Sequence, residues 1–181
     1  MKRTSSSSSK SVILAMDPSL TGWGIAILQN HVVIHSECIK TAPEAKKRRI
    51  REGDDRVRRT MELVDRLRKV INDFSVDYMV AELPHGSQNF RGAVMLGVVT
   101  GIMVTLSECE DIPIEFFSEA DAKKALLGRI SASKTEVIEA VEETFEIDIN
   151  GPKYVREAVA DSLAIYNVAQ KQSTTLKILT R

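Results

Sequence analysis

Two short apolar runs near the start of the chain, with an acid between them, constrain the fold more than any other feature. Residues 12–16 and 25–28 are too short for buried helices, and the Pro/Ser/Gly-bearing segment between them predicts a turn that joins two strands. Asp17 directly follows the first run. A carboxylate at the end of a buried strand is costly to desolvate, so it needs a cation or a metal. The alternative is an Asx-type turn before Pro18.

Length, charge and cysteine content bound the class of protein. A chain of 181 residues is long enough for one domain with a core and short for two. The formal net charge is zero, so any binding to a polyanion must come from local clusters. Cys38 and Cys109 have no metal-binding or disulfide spacing, which fits a reducing cytosol. We expect no apolar run to approach the roughly 20 residues of a membrane span, so we expect no membrane partner.

The remaining periodicities predict a mixed sheet with helices on it. Further strands are expected at residues 31–38, 76–81 and 112–116, and helices at residues 54–74, 91–109, 119–127, from Ser133 onward, and 155–169. A capping box at Ser133 and Glu136 marks the start of the fourth helix. The helix at 91–109 is apolar on most sides, so we expect it to be buried. An antiparallel meander followed by strand–helix units predicts an α/β fold with a mixed five-stranded sheet flanked by helices.

Basic residues concentrate in two different settings. Five of them lie in a short stretch without acids, which suits contact with phosphates: Lys46, Lys47, Arg48, Arg49 and Arg51. The basic face of the helix at 54–74 has Glu62 and Asp65 interleaved, which favours a solvated face with ion pairs one turn apart.

Four carboxylates stand where a site at a sheet edge would need them. Asp17 and Glu82 each follow a predicted strand, and Glu157 and Asp161 share one face of the last helix. Clustered carboxylates repel one another unless cations are present. Oxygen ligands without a Cys or His set favour Mg²⁺ or Mn²⁺. Two such ions about 4 Å apart are a standard device for phosphodiester hydrolysis.

Four motifs in order resemble RuvC-type Holliday-junction resolvases. They are Ile-Leu-Ala-Met-Asp-Pro-Ser-Leu-Thr-Gly-Trp-Gly at 13–24, Val-Ala-Glu at 80–82 with Asn89, the lysine-bearing segments 122–128 and 131–134, and Ala-Asp-Ser-Leu-Ala-Ile at 160–165. The resemblance covers residues 12–169. It implies an RNase H-like fold, a homodimer, and Mg²⁺-dependent nicking of four-way (Holliday) and other branched DNA in recombination and repair. Mn²⁺ would substitute, with two ions per site. The implied location is cytoplasmic, or the host cytoplasm for a phage-type member.

The resemblance also assigns residues. It implies that Asp17, Glu82 and Asp161 carry the metals and that Lys134 acts in catalysis. Ala158 stands where the family has a fourth ligand, and Glu157 is the expected substitute in both the catalytic and the metal set. His85 stands where well-studied members have a stacking aromatic. The expected DNA contacts are Lys46, Lys47, Arg48, Arg49, Arg51, His85, Asn89, Phe90, Lys123, Lys124, Arg129 and Lys134.

We expect the chain to divide into a Ser-rich disordered leader at 1–11, an RNase H-like nuclease domain at 12–170 and a flexible tail at 171–181. Of three other functions, two are open at this point. One is a ribonuclease H that cuts RNA in hybrids, and the other is a non-catalytic module that binds junctions. An actin-like ATPase would need two such domains, which 181 residues do not provide.

Overall fold

The computed structural model describes residues 11–44, 50–84, 86 and 90–180. Its elements in chain order are β1 Val12–Asp17, β2 Gly22–Gln29, β3 Val32–Lys40, α1 Glu52–Phe74, β4 Tyr78–Glu82, α2 Phe90–Glu110, β5 Ile114–Phe117, α3 Glu119–Leu127, α4 Lys134–Phe145, α5 Lys153–Gln172 and α6 Thr174–Leu179.

The sheet has five strands in the order β3-β2-β1-β4-β5. β2 pairs antiparallel with both β1 and β3, whereas β4 pairs parallel with β1 and β5. β1 is central, and its residues from Ile13 to Met16 are at most 1% exposed. The predicted mixed five-stranded sheet flanked by helices is confirmed.

Helices cover both faces of the sheet, so side chains alternate between two cores along β1. Leu14 and Met16 pack in the core that includes Leu63 of α1 and Met103 of α2. Ile13 and Ala15 point to the other face, in the core formed with α3, α4 and α5. By the same alternation, the position after Met16 faces α5.

α1 is tied to the sheet by a buried arginine. Arg59 is 8% exposed and donates hydrogen bonds to Thr41 Oγ1 (2.8 Å), the Leu20 carbonyl (3.0 Å) and Thr21 Oγ1 (3.2 Å). These bonds fix the β1–β2 turn against the segment that follows β3. The exposed cations of α1 have acidic partners, in agreement with the prediction of a solvated, ion-paired face; the pairs are Arg56–Glu52, Arg58–Glu62, Lys69–Asp73, Arg66–Glu37 and Arg68–Glu110.

α2 departs from the expectation that it is buried. Its buried residues are Val99, Ile102, Met103 and Leu106, all on one side, whereas Val104 is 51% exposed. α2 is also long and apolar enough, by length and composition, to cross a membrane, which corrects the statement that no apolar run approaches that length. Its buried side packs in the core with α1 and the sheet. The sequence pattern could not separate these cases, because an all-apolar helix does not show which side its own chain covers.

The two chain ends have different outcomes. Residues 1–10 of the expected leader lie outside the described part. The expectation of a flexible tail at 171–181 is wrong for the described residues, because α5 continues to Gln172 and α6 follows from Thr174. Leu176 is fully buried in the α5-side core, and the Ser173 hydroxyl accepts a hydrogen bond from its backbone N–H. Leu176, with Leu179 packed against the same core, holds the last helix on the domain.

Gly24 allows α5 to approach the sheet closely. A Cβ at this position would lie 2.0 Å from the backbone oxygen of Ala158. Gly24 pairs directly with Asp17 on β1. The backbone of α5 therefore contacts β2 beside the acid that ends the central strand.

We expect Gly24→Ala to destabilise the protein by about 1–3 kcal/mol, because backbone atoms must move to admit the methyl group. Urea unfolding measures this. Gly53→Ala is the matched control, since a Cβ at Gly53 meets nothing within 4 Å. Equal unfolding midpoints for the two variants would contradict the close approach of α5.

Candidate active site

Two carboxylates end neighbouring parallel strands. Asp17 is the last residue of β1 and Glu82 the last residue of β4. The parallel register pairs Met16 with Ala81, so the two acids follow a matched pair of residues. Both alternate with residues of the α5-side core, Ala15 on one strand and Val80 on the other. Their side chains therefore share one face at one edge of the sheet.

α5 contributes a third carboxylate to the same place. It packs on β1, β2 and β4, and its Ala158 lies on Gly24. Asp161 follows Ala158 by three residues, which places it on the same side of the helix. The Asp161 side chain is 11% exposed. Its charge and that of Glu82 both raise the pKa of Asp17, so the three acids interact electrostatically.

Burial dominates the protonation of these acids. Desolvation, followed by the charges of Asp161 and Glu82, raises the pKa of Asp17 well above its usual range. Desolvation and the charges of Glu119 and Asp161 raise the pKa of Glu82 from 4.5 to about 7. Burial also raises the pKa of Asp161, and outweighs the opposing effect of Lys134. Such a group of acids is stabilised by any cation placed among them.

Lys134 supplies one positive charge. It is the first residue of α4, and the capping box of Ser133 and Glu136 fixes its backbone as the sequence predicted. Its Nζ donates a hydrogen bond to Oδ2 of Asp161. Burial opposes protonation of the amine, but the charge and hydrogen bond of Asp161 together with Glu119 raise the pKa of Lys134 overall.

Glu119 is a carboxylate near this group that the sequence analysis did not select. It begins α3, directly after β5, and β5 pairs parallel with β4 so that Phe117 lies beside Glu82. Its Oε1 lies 2.7 Å from Nζ of Lys123 and 3.9 Å from Nζ of Lys134. The signal that selected Asp17 and Glu82, an acid at the end of a strand, also applies to Glu119, which follows the end of β5 by two residues. The sequence analysis placed Glu119 only in the first turn of a helix.

Glu157 occupies a different setting. Its Oε1 lies 3.8 Å from Nζ of Lys153, one turn earlier on α5. It is not among the charges with the largest effects on Asp17, Glu82 or Asp161. Its role as a fourth ligand stays a prediction.

The expected DNA-contacting residues fall in three groups. Lys123, Lys124, Arg129 and Lys134 lie on or between α3 and α4; Lys123 and Lys134 contact acids of this group, whereas Arg129 pairs with Glu136. Arg51 and Phe90 are exposed, and Arg51 pairs with Asp54 at 2.7 Å. The remaining six, Lys46, Lys47, Arg48, Arg49, His85 and Asn89, lie outside the described residues.

The donor chemistry fits a hard divalent cation. Three carboxylates meet at one edge, with burial that disfavours their charged forms and an ammonium group already paired to one of them. Within residues 11–44, 50–84, 86 and 90–180, no three His, Cys, Asp or Glu side chains form a ready-made metal-binding group. Side-chain adjustment would therefore accompany metal binding by these acids.

A family model described as crossover junction endodeoxyribonuclease RuvC matches residues 13–168, which include all three acids. The chain belongs to the RuvC family. Among similar curated proteins, RuvC of Chlamydia felis is 26% identical over 128 residues, 70% of this chain and 73% of that protein. RuvC of Shewanella sediminis is 25% identical over 159 residues, 86% of this chain and 84% of that protein.

Solved structures of RuvC proteins share the fold. Thermus thermophilus RuvC in complex with a Holliday junction substrate superposes with a TM-score of 0.69 at 19% identity, covering 90% of this chain and 97% of that one. The yeast mitochondrial Holliday junction resolvase Ydc2 gives a TM-score of 0.64 at 10% identity, covering 93% and 81%. The RNase H-like architecture implied by the motifs is therefore confirmed, and RuvC proteins are metal-dependent nucleases.

The raised pKa of Glu82 predicts how the stability of the metal-free protein depends on pH. Between pH 4.5 and about 7 the unfolded chain releases the Glu82 proton while the folded chain retains it, so stability falls as pH rises. Glu82→Gln removes up to about 3 kcal/mol of this dependence. Urea unfolding in EDTA across this interval measures it.

The control for that series is Glu139→Gln, which removes the same charge from an exposed position on α4. It should keep the pH dependence of the unaltered protein. If Glu82→Gln keeps the same slope as well, Glu82 titrates normally in the folded state and the assignment of a buried, coupled acid is wrong.

Proposed function

We propose that this chain is a homodimeric, Mg²⁺-dependent endonuclease that nicks four-way and other branched DNA junctions. The observation that carries the proposal is the convergence of Asp17, Glu82 and Asp161 at one sheet edge of a RuvC-family domain. The names of its relatives, crossover junction endodeoxyribonuclease and Holliday junction resolvase, supply the reaction and the substrate.

Asp17, Glu82 and Asp161 would hold two Mg²⁺ ions, with Mn²⁺ as a substitute. Bound divalent ions of this kind activate water and stabilise the leaving oxygen in phosphodiester hydrolysis. The chain's own contribution is to hold the carboxylates on rigid elements, two at strand ends and one on a helix packed against the sheet. Because these carboxylates are buried, their ionised forms are favoured only when a cation is bound beside them.

Lys134 and its neighbours would contact the DNA backbone. Its side chain is 44% exposed, so the ammonium can meet a phosphate that approaches the acids. Lys123, Lys124 and Arg129 extend the positive charge along α3 and the loop before α4. We place Lys46, Lys47, Arg48, Arg49 and Arg51 on a second contact with the backbone, with His85, Asn89 and Phe90 nearer to the junction. Free thiols at Cys38 and Cys109 agree with action in the cytoplasm.

The dimer is proposed from the uncovered side of α2. This helix carries exposed Phe90 (83%) and Val104 (51%). A methyl group added at Gly97 or Gly101 would meet no neighbouring atom within 4 Å, so a partner helix can approach closely there. A two-fold symmetric pair of chains would cover the same patch on both and present two sites to symmetric strands.

We expect Asp17→Asn, Glu82→Gln and Asp161→Asn each to reduce junction cleavage at least about 1,000-fold while junction binding is retained. Each change replaces a charged carboxylate of the predicted metal site with a neutral amide, and it removes no side chain expected to contact the DNA backbone. Single-turnover cleavage of a mobile four-way junction with Mg²⁺, and a gel-shift assay in Ca²⁺, give the two quantities. Undiminished cleavage by one variant would overturn the role of that residue.

The same assay distinguishes the alternative functions. Matched duplex, Y-fork, single strand and an RNA–DNA hybrid are digested beside the junction. Preference for the RNA strand of the hybrid would favour a ribonuclease H. Binding of the junction without cleavage in Mg²⁺ or Mn²⁺ would favour a non-catalytic module.

Val104→Asp should convert the dimer to a monomer, because a buried unpaired carboxylate would face its symmetry mate. Light scattering at micromolar concentration measures the mass. Ile178→Asp is the control, since Ile178 is 65% exposed on α6 and lies away from α2 in sequence and fold. A Val104→Asp variant that is still dimeric would place the interface elsewhere.

A further inference from the structure

We propose that Glu119 is a positioning residue that receives the Lys134 ammonium when a metal ion takes Asp161. This inference rests on the proposed function, because it assumes that Asp161 is a metal ligand. It adds a residue outside the predicted ligand set and gives that residue a specific task.

The charged groups form a continuous row. Asp161 accepts a hydrogen bond from Lys134, the Lys134 Nζ lies 3.9 Å from Glu119 Oε1, and the same Glu119 oxygen lies 2.7 Å from Nζ of Lys123. Lys134 thus sits between two carboxylates, bonded to one and within ion-pair distance of the other. Glu119 is held in place by its bond to Lys123, one turn along α3.

An ammonium on Asp161 competes with any metal ion for the same carboxylate. A divalent cation held by Asp161 would also repel Lys134, so the amine would have to move away from that carboxylate. The capping box at Ser133 and Glu136 fixes the start of α4, so the change falls on the flexible side chain of Lys134. Glu119 is within ion-pair distance of the amine, so the amine could leave Asp161 and still keep a carboxylate partner.

The alternative is that Glu119 itself binds the metal as a fourth carboxylate. The two cases differ in their dependence on Lys134. A positioning role needs the lysine, so removal of Lys134 abolishes most of the effect of Glu119 and leaves only what its charge contributes through space. Direct ligation does not need it, so the effect of Glu119 persists.

The experiment is a double-mutant cycle on the full chain with Mn²⁺ binding by calorimetry as the readout. We expect Glu119→Gln to weaken Mn²⁺ binding about 10-fold, the lower end of the effect seen when a partner of a ligand is removed. In the Lys134→Met background, Glu119→Gln should weaken Mn²⁺ binding by a clearly smaller factor, because only the through-space effect of the Glu119 charge on the other acids then remains. Glu139→Gln, an exposed change of the same kind on α4, should not alter affinity.

Melting temperatures of all variants in EDTA establish that each is folded before titration. Equal weakening by Glu119→Gln in both backgrounds would overturn the proposal in favour of direct ligation. No weakening in either background would also overturn it. Asp17→Asn in the same titration tests the metal site itself, because unchanged Mn²⁺ affinity in that variant would refute the proposed function as well.

Discussion

The contact between the backbone of α5 at Ala158 and Gly24 on β2 determines whether the site can form. A side chain of any size at position 24 would hold the helix away from the sheet, since even a methyl group would lie 2.0 Å from a backbone oxygen. Asp161 lies three residues beyond this contact, and Gly24 pairs with Asp17. Close packing of one helix therefore sets the distance between the acids of two different elements.

Clustering these acids is unfavourable without a cation. Burial raises the pKa values of Asp17, Glu82 and Asp161, so the metal-free fold stores repulsion and desolvation at one edge of the sheet. Lys134 offsets part of this through its bond with Asp161. Under the proposals above, the same bond would make the lysine a competitor for a metal ion at Asp161, and Glu119 would offer it a second partner. The repelling acids lie on β1, β4 and α5, the lysine that offsets their charge lies on α4, and Glu119 lies on α3.

The surface of the molecule exposes two different kinds of side chain: cations with acidic partners, and apolar side chains of α2 that this chain does not cover. The cations of α1 are neutralised by acids on the same helix or nearby elements, so that helix contributes little net charge for DNA. Lys123 of α3 and Lys134 of α4 are also paired, but with Glu119 and Asp161 in the group of acids at the sheet edge. On the opposite side of the sheet, α2 leaves apolar side chains such as Val104 exposed, and this is the surface that the proposed dimer would cover.

Local patterns in the sequence were enough to predict β1 to β5 and α1 to α5 in their order along the chain, the capping box at Ser133, and the two acids that end strands, because short apolar runs and caps depend on neighbouring residues alone; α6 was not predicted. The ion-paired face of α1 was predicted in the same way. The folded structure was needed to show which side of α2 is covered, that Leu176 packs α6 on the domain, and that Glu119 lies near the other acids. These outcomes depend on which helices and strands pack against one another in the folded chain, and local periodicity carries no information about that.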